Sequence, residues 1–231
     1  MAAKPVPPRP APRLYLATRV VDDPQPLATS LPGLLTAADV AAVLVRLRAA
    51  EPRGMIARVK ALAPAIQNAG AALLLDGELL DGQFELVARA GADGAHLTGI
   101  KALEEALPGL KPDRIAGCGG LVTRHDSMSA GELGADYVLF GEPDAQGKRP
   151  SPDAVAERLQ WWAELFEPPC IGYAATREEA YEFALAGADF VLVGDLVWAD
   201  ARGAATALAD VGQALREAYA ATRETAEAAR G

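Results

Sequence analysis

The chain has 231 residues, 51% of them hydrophobic and 23% charged, with 22 Lys and Arg against 31 Asp and Glu for a formal net charge of −9. A chain this long and apolar buries one large core and is not disordered. Its acidic balance, without a long basic run, excludes a nucleic-acid surface, and no apolar run approaches the ~20 residues of a membrane span.

In chain order, residues 1–12 come first, within MAAKPVPPRPAPR. They are proline-rich, lack the apolar segment of a signal peptide, and read as a flexible tail before a domain at 13–231. Two cysteines, Cys118 and Cys170, make no disulfide framework and read as buried thiols, which fits a cytoplasmic protein. Short apolar runs predict eight strands: Leu14–Thr18, Val40–Leu47, Ala71–Asp76, Gly94–Leu97, Arg114–Gly119, Tyr137–Gly141, Cys170–Tyr173 and Phe190–Gly194. Helical periodicity is clearest over Pro52–Asn68, Gln83–Ala90, Asp126–Leu133, Pro152–Phe166, Thr176–Ala186 and Thr206–Ala226. Gly-Ala-Asp recurs at Gly91, Gly134 and Gly187, each time between a helical pattern and a strand. The glycine supplies a left-handed helix cap and the aspartate opens the strand, so the repeat is structural. Eight alternating β/α units predict a single-domain (β/α)8 TIM barrel. An open doubly wound sheet is the runner-up, disfavoured because no Gly-x-Gly-x-x-Gly follows the first strand.

Function in such a barrel sits at the C-terminal ends of the strands. Arg46 and Arg48 lie two apart at the end of VLVRLR. Period two places both on the face opposite Val45 and Leu47, where two guanidinium forks suit a diphosphate. The competing reading is a solvated strand end. The polar loop GEPDAQGKRPS, Gly141–Ser151, has the length of a lid, with Lys148 and Arg149 placed to close over an anion or simply to be exposed. His96 is mid-strand among apolar residues, the setting of a hydrogen-bonded core histidine more often than of a catalyst. His125, in the loop after the fifth strand, is a second acid/base candidate. The GCGG around Cys118 and Gly120 suggests close backbone approach to a neighbour or ligand. The adjacent Trp161 and Trp162 face different ways on their helix, so one packs inward and the other is free to meet a partner subunit, keeping a homo-oligomer open.

GADGAHL, GADYVLFGEP, GADFVLV and LVRLR together resemble the fourth, sixth and eighth strands and the second-strand Gln-x-Arg-x-Lys grip of the thiamine phosphate synthase and thiazole tautomerase family, over about residues 14 to 200. The resemblance implies a transferase that joins a pyrimidine-methyl diphosphate to a thiazole phosphate, with Mg²⁺ and basic residues stabilising the leaving diphosphate. It implies diphosphate contacts at Arg46, Arg48 and Lys148, a phosphate-loop remnant at Gly172, and Asp76 as metal ligand. Lys101 stands where the family carries its other metal-binding aspartate, so it is expected to bring positive charge itself or else to begin the next helix as a solvated residue. Leu44 replaces the leading glutamine of the second-strand motif, and Leu121 stands where the tautomerase histidine would fall. The alternatives are a thiazole tautomerase, with His125 reaching the site, a non-catalytic binder of thiamine precursors, or another phosphosugar-type barrel enzyme. All imply a small phosphorylated ligand.

Overall fold

The computed structural model describes residues 9–228. Eight parallel strands close in chain order into one barrel. They are β1 (Arg13–Ala17), β2 (Val40–Val45), β3 (Ala72–Asp76), β4 (Gly94–Thr98), β5 (Ile115–Gly119), β6 (Tyr137–Phe140), β7 (Cys170–Tyr173) and β8 (Phe190–Val193). Around them run α1 (Pro24–Leu35), α2 (Pro52–Gln67), α3 (Glu85–Ala90), α4 (Ile100–Leu110), α5 (Arg124–Leu133), α6 (Pro152–Leu165), α7 (Arg177–Leu185), the short α8 (Asp195–Trp198) and α9 (Ala204–Ala228). The single-domain (β/α)8 barrel expected from the alternation is therefore present. The helix α1 was not among the clear periodic stretches, because three prolines interrupt its pattern; Asp23 caps its start through the Gln25 N–H.

Strand residues alternate between two cores. Leu14, Leu16, Val43, Val45, Leu73 and Leu75 face the helices, whereas Tyr15, Ala17, Leu44, Leu74, Tyr137, Leu139, Ile171 and Leu192 fill the barrel. This is the period of two applied to a sheet that is covered outside and packed inside.

The Gly-Ala-Asp repeat has a uniform structural job. Gly91, Gly134 and Gly187 take φ of +80°, +100° and +94°, which a side chain resists. The aspartate that follows each then accepts the N–H of the preceding strand's first turn: Asp93 from Leu73, Asp136 from Ala116 and Asp189 from Cys170, at 2.7, 2.7 and 2.9 Å. Ahead of β2 the sequence is Ala-Ala-Asp, and Asp39 holds Arg13 of β1 through a forked pair at 2.8–3.0 Å. The carboxylates pin neighbouring strands at the barrel floor, away from the mouth.

Of the expected tail, residues 1–8 lie outside the described residues. Arg9 is tied to the floor: its guanidinium donates to the carbonyls of Gly187 and Ala163 at 2.6 and 3.0 Å, and its own carbonyl accepts from Tyr219. No helix among the described residues is long and apolar enough to cross a membrane.

Candidate active site

At the C-terminal ends of the strands a cavity of about 770 Å³ opens. Its lining includes Leu44, Arg46, Asp76, His96, Gly120, Leu139, Glu142, Lys148, Arg149 and Arg158. The strand ends supply Arg46, Asp76 and His96; the loop after β6 supplies Glu142, Lys148 and Arg149; α6 supplies Arg158.

His96 points into the barrel from β4, almost wholly buried at 3% exposure. Its Nδ1 bonds the Tyr137 hydroxyl at 3.0 Å and its Nε2 faces Glu142 Oε2 at 3.3 Å. Tyr137 in turn meets the hydroxyl of Tyr15 at 3.1 Å. With a neutral imidazole protonated at Nε2, every proton of the chain has an acceptor: Tyr15 donates to Tyr137, Tyr137 to Nδ1, and Nε2–H to Glu142. Burial opposes the charged forms of both partners. The Glu142 carboxylate nevertheless holds His96 above its ordinary value. His96, Arg46 and the Gly120 N–H together hold Glu142 below its own. Space for the pair comes from Gly119, where a Cβ would come within 2.0 Å of Glu142 Oε2 and 2.7 Å of His96 Nε2. The glycines of GCGG are thus set by close approach. Cys118 faces the other way, buried, with its thiol pushed up to about 12 by burial, an inert group.

The arginines part company. The chain leaves the sheet after Val45, and Leu47 bridges Val21. Arg46 still faces the cavity, with Nε 3.8 Å from the Asp76 carboxylate. Arg48 does not: it turns to the surface and pairs with Asp22 at 3.0 Å. Period two fails for it because the strand has already ended.

Lys148 lines the mouth on a loop closed by Asp144, which accepts the N–H groups of Gln146 and Lys148. Arg149 also lines the cavity, with most of its donors engaged by the protein. They bond the carbonyls of Gly141 and Tyr173 at 2.9 and 2.8 Å and the Glu179 carboxylate at 2.8 Å, and the guanidinium lies over the Tyr173 ring. It straps the loop to β7 and α7.

Three other expected site residues lie elsewhere. Lys101 is 88% exposed, pairs with Glu105 one turn along α4, and is absent from the cavity lining; it is the solvated helix residue of the competing reading. His125 is exposed near the start of α5 and does not line the cavity. Gly172 is not in the cavity lining, and a Cβ there would point outward to meet Phe183 and Leu159 at 2.8 and 2.9 Å. Gly120 stays at the mouth with φ +65°.

Glu142 and Arg158 are lining residues to which the sequence pattern assigns no role. Glu142 lies in GADYVLFGEP, two residues past the end of β6. Arg158 lies on α6 one turn after Ala154 and Val155, which also line the cavity. Its guanidinium donates to the carbonyls of Leu121 and Val122 at 3.0 and 2.9 Å. Helical spacing from the mouth would have flagged it.

For the Mg²⁺ that the resemblance implies, the described residues form no group of three His, Cys, Asp or Glu. A Mg²⁺ ion that arrives with a diphosphate needs only one or two protein carboxylates. Asp76, partly exposed at the cavity, fits that lesser role, with Glu78 beside it.

The model of the thiamine monophosphate synthase family matches residues 14–197. The thiamine-phosphate synthase of Rhodospirillum centenum is 37% identical over 212 residues, 88% of this chain and 98% of that protein. That of Hyphomonas neptunium is 36% identical over 215 residues, 87% of this chain and 92% of that protein. Among solved structures, the thiamine phosphate pyrophosphorylase of Pyrococcus furiosus superposes with a TM-score of 0.69 at 19% identity, covering 89% of this chain and 96% of that one. The 3-hexulose-6-phosphate synthase of Salmonella typhimurium superposes at 0.67 and 15%, covering 89% and 99%, a likeness of fold alone. On the match along most of its length and on the two relatives, the chain belongs to the thiamine monophosphate synthase family.

Proposed function

We propose that the protein is a transferase of thiamine biosynthesis that joins a pyrimidine-methyl diphosphate to a thiazole phosphate. The observation that carries this reading is one cavity combining an apolar interior, at Leu44 and Leu139, with the cations Arg46, Lys148 and Arg158. Those three are the groups we assign to the diphosphate and phosphate, with the Gly120 backbone beside them. The chemistry asks for charge neutralisation and positioning more than for a general base. A Mg²⁺ held by Asp76 would supply further charge neutralisation at the leaving diphosphate. The tautomerase reading needs a histidine just after β5, but Leu121 is there and His125 lies outside the cavity lining. The buried thiols suit a reducing compartment, and we place the protein in the cytoplasm.

The test is to mix the purified protein with both substrates, with Mg²⁺ or with EDTA, and to follow thiamine phosphate by chromatography. Product that depends on Mg²⁺ is expected, and Asp76→Asn should remove most of it. Lys101→Ala should behave as wild type, since its ammonium is solvated and outside the cavity. Absence of product in both tubes, with substrates intact, would defeat the transferase reading.

A further inference from the structure

We propose that Glu142 is the specificity-determining residue of this cavity, its carboxylate binding an N–H donor on the ring of the ligand whose diphosphate the cations hold. The inference rests on the transferase reading for the identity of that ligand, but its own evidence is separate.

The Glu142 side chain is only 16% exposed, yet it lines the cavity. A carboxylate offers about four acceptor positions. His96 Nε2 and the Gly120 N–H take two of them. The others meet no donor among the described residues and open on the cavity, where a ligand N–H can reach them. Leu44 and Leu139, which line the same cavity, offer no donor, and Leu44 stands where the family's second-strand motif has an amide. A flat heteroaromatic ring bearing an amino group fits: apolar faces for the two leucines, an N–H edge for the carboxylate.

Charge is also ordered across the site. Arg46, Lys148 and Arg158 are the cavity cations we assign to phosphate, Arg46 with Asp76 at 3.8 Å and Arg158 with one of its nitrogens on the Leu121 and Val122 carbonyls. Of the remaining carboxylates, Asp76 faces Arg46 at 3.8 Å, Asp144 is occupied by its own loop's N–H groups, and Glu78 is exposed. Glu142 is therefore the buried negative end of a polarised cavity. When the methylene C–O bond breaks, its electron pair leaves on the diphosphate and the positive charge spreads into the ring and its amino nitrogen. The thiazole nitrogen then forms the new C–N bond with its lone pair. Glu142 stays ionised and transfers no proton. Its attraction to the ring grows as charge separates, so it favours the transition state over the ground state.

The test uses three probes without the leaving diphosphate: an aminopyrimidine methanol, its oxo counterpart, and the same ring with a dimethylamino group, whose exocyclic nitrogen carries no N–H. Binding is measured by calorimetry to the wild-type protein and to Glu142→Gln and Glu142→Asp. The wild type should prefer the amino probe over both others by about 10- to 100-fold, the range for a hydrogen bond to a charged group. Glu142→Gln should lose that preference and Glu142→Asp should keep part of it. In turnover, Glu142→Gln should lower kcat more than it raises KM. Equal binding of the three probes by the wild type overturns the inference without any variant, and so does an unchanged preference in Glu142→Gln. Product formation without amino preference would overturn the inference alone. Amino preference without product would leave it standing and overturn the transferase reading.

Discussion

Glu142 and His96 face each other at 3.3 Å, their side chains 16% and 3% exposed, and their titrations couple to stability in opposite senses. His96 is held above its ordinary value of 6.5. It contributes stability that is complete below that value and is lost as pH rises through the folded one. Glu142 is held below its ordinary value of 4.5 and contributes stability above it, lost as pH falls through the folded value. The deficit of Glu142→Gln relative to wild type should therefore be widest between 4.5 and 6.5 and should shrink on the alkaline side. Urea midpoints of the two proteins across pH would show it, and a deficit that does not change would mean the pair is never charged. Sequence pattern brought out His96 because it interrupts an apolar strand. It gave Glu142 no role of its own within the Gly141–Ser151 loop, because a glutamate between glycine and proline looks like an ordinary loop residue.

Elements explain which expected site residues reached the mouth. Arg46 and Arg48 differ by two positions, yet only the first is carried inward, since β2 ends at Val45. Lys101 and His125 each lie near the start of a helix, α4 and α5, on a solvent-facing side that no count along the sequence could separate from the cavity side. Gly172 was placed among phosphate ligands by analogy, but strand alternation turns it toward α6 and α7. Gly172→Ala should accordingly cost about 1–3 kcal/mol through overpacking against Phe183 and Leu159. Thermal denaturation should show a lower Tm while the KM for phosphorylated substrates stays at the wild-type value. A raised KM with unchanged Tm would restore the phosphate role.

On the scale of the molecule, the family match ends at residue 197, but the barrel wall does not. The helix α9 packs on α7 and α1 and buries Leu208, Val211 and Leu215 among others. At about 1.5–3 kcal/mol for each large aliphatic side chain, these three alone rival the ~5–15 kcal/mol stability of a typical domain. A chain ending at residue 203 should thus be insoluble or lack a cooperative thermal transition; a soluble, cooperatively melting truncation would show that the barrel closes without α9. The sequence by itself determined the barrel, its strand count, the two-sided core and the glycine caps, because these follow from local periodicity and backbone sterics. It also supplied the family through short motifs. Only the tertiary structure decided that Arg149 is a strap, that Arg48, Lys101, His125 and Gly172 stand away from the cavity, and that Glu142 and Arg158 belong to it. The reason is physical: closure brings together side chains from β2, β3, β4, α6 and the loop after β6, and pairings across a closed sheet leave no period in the chain.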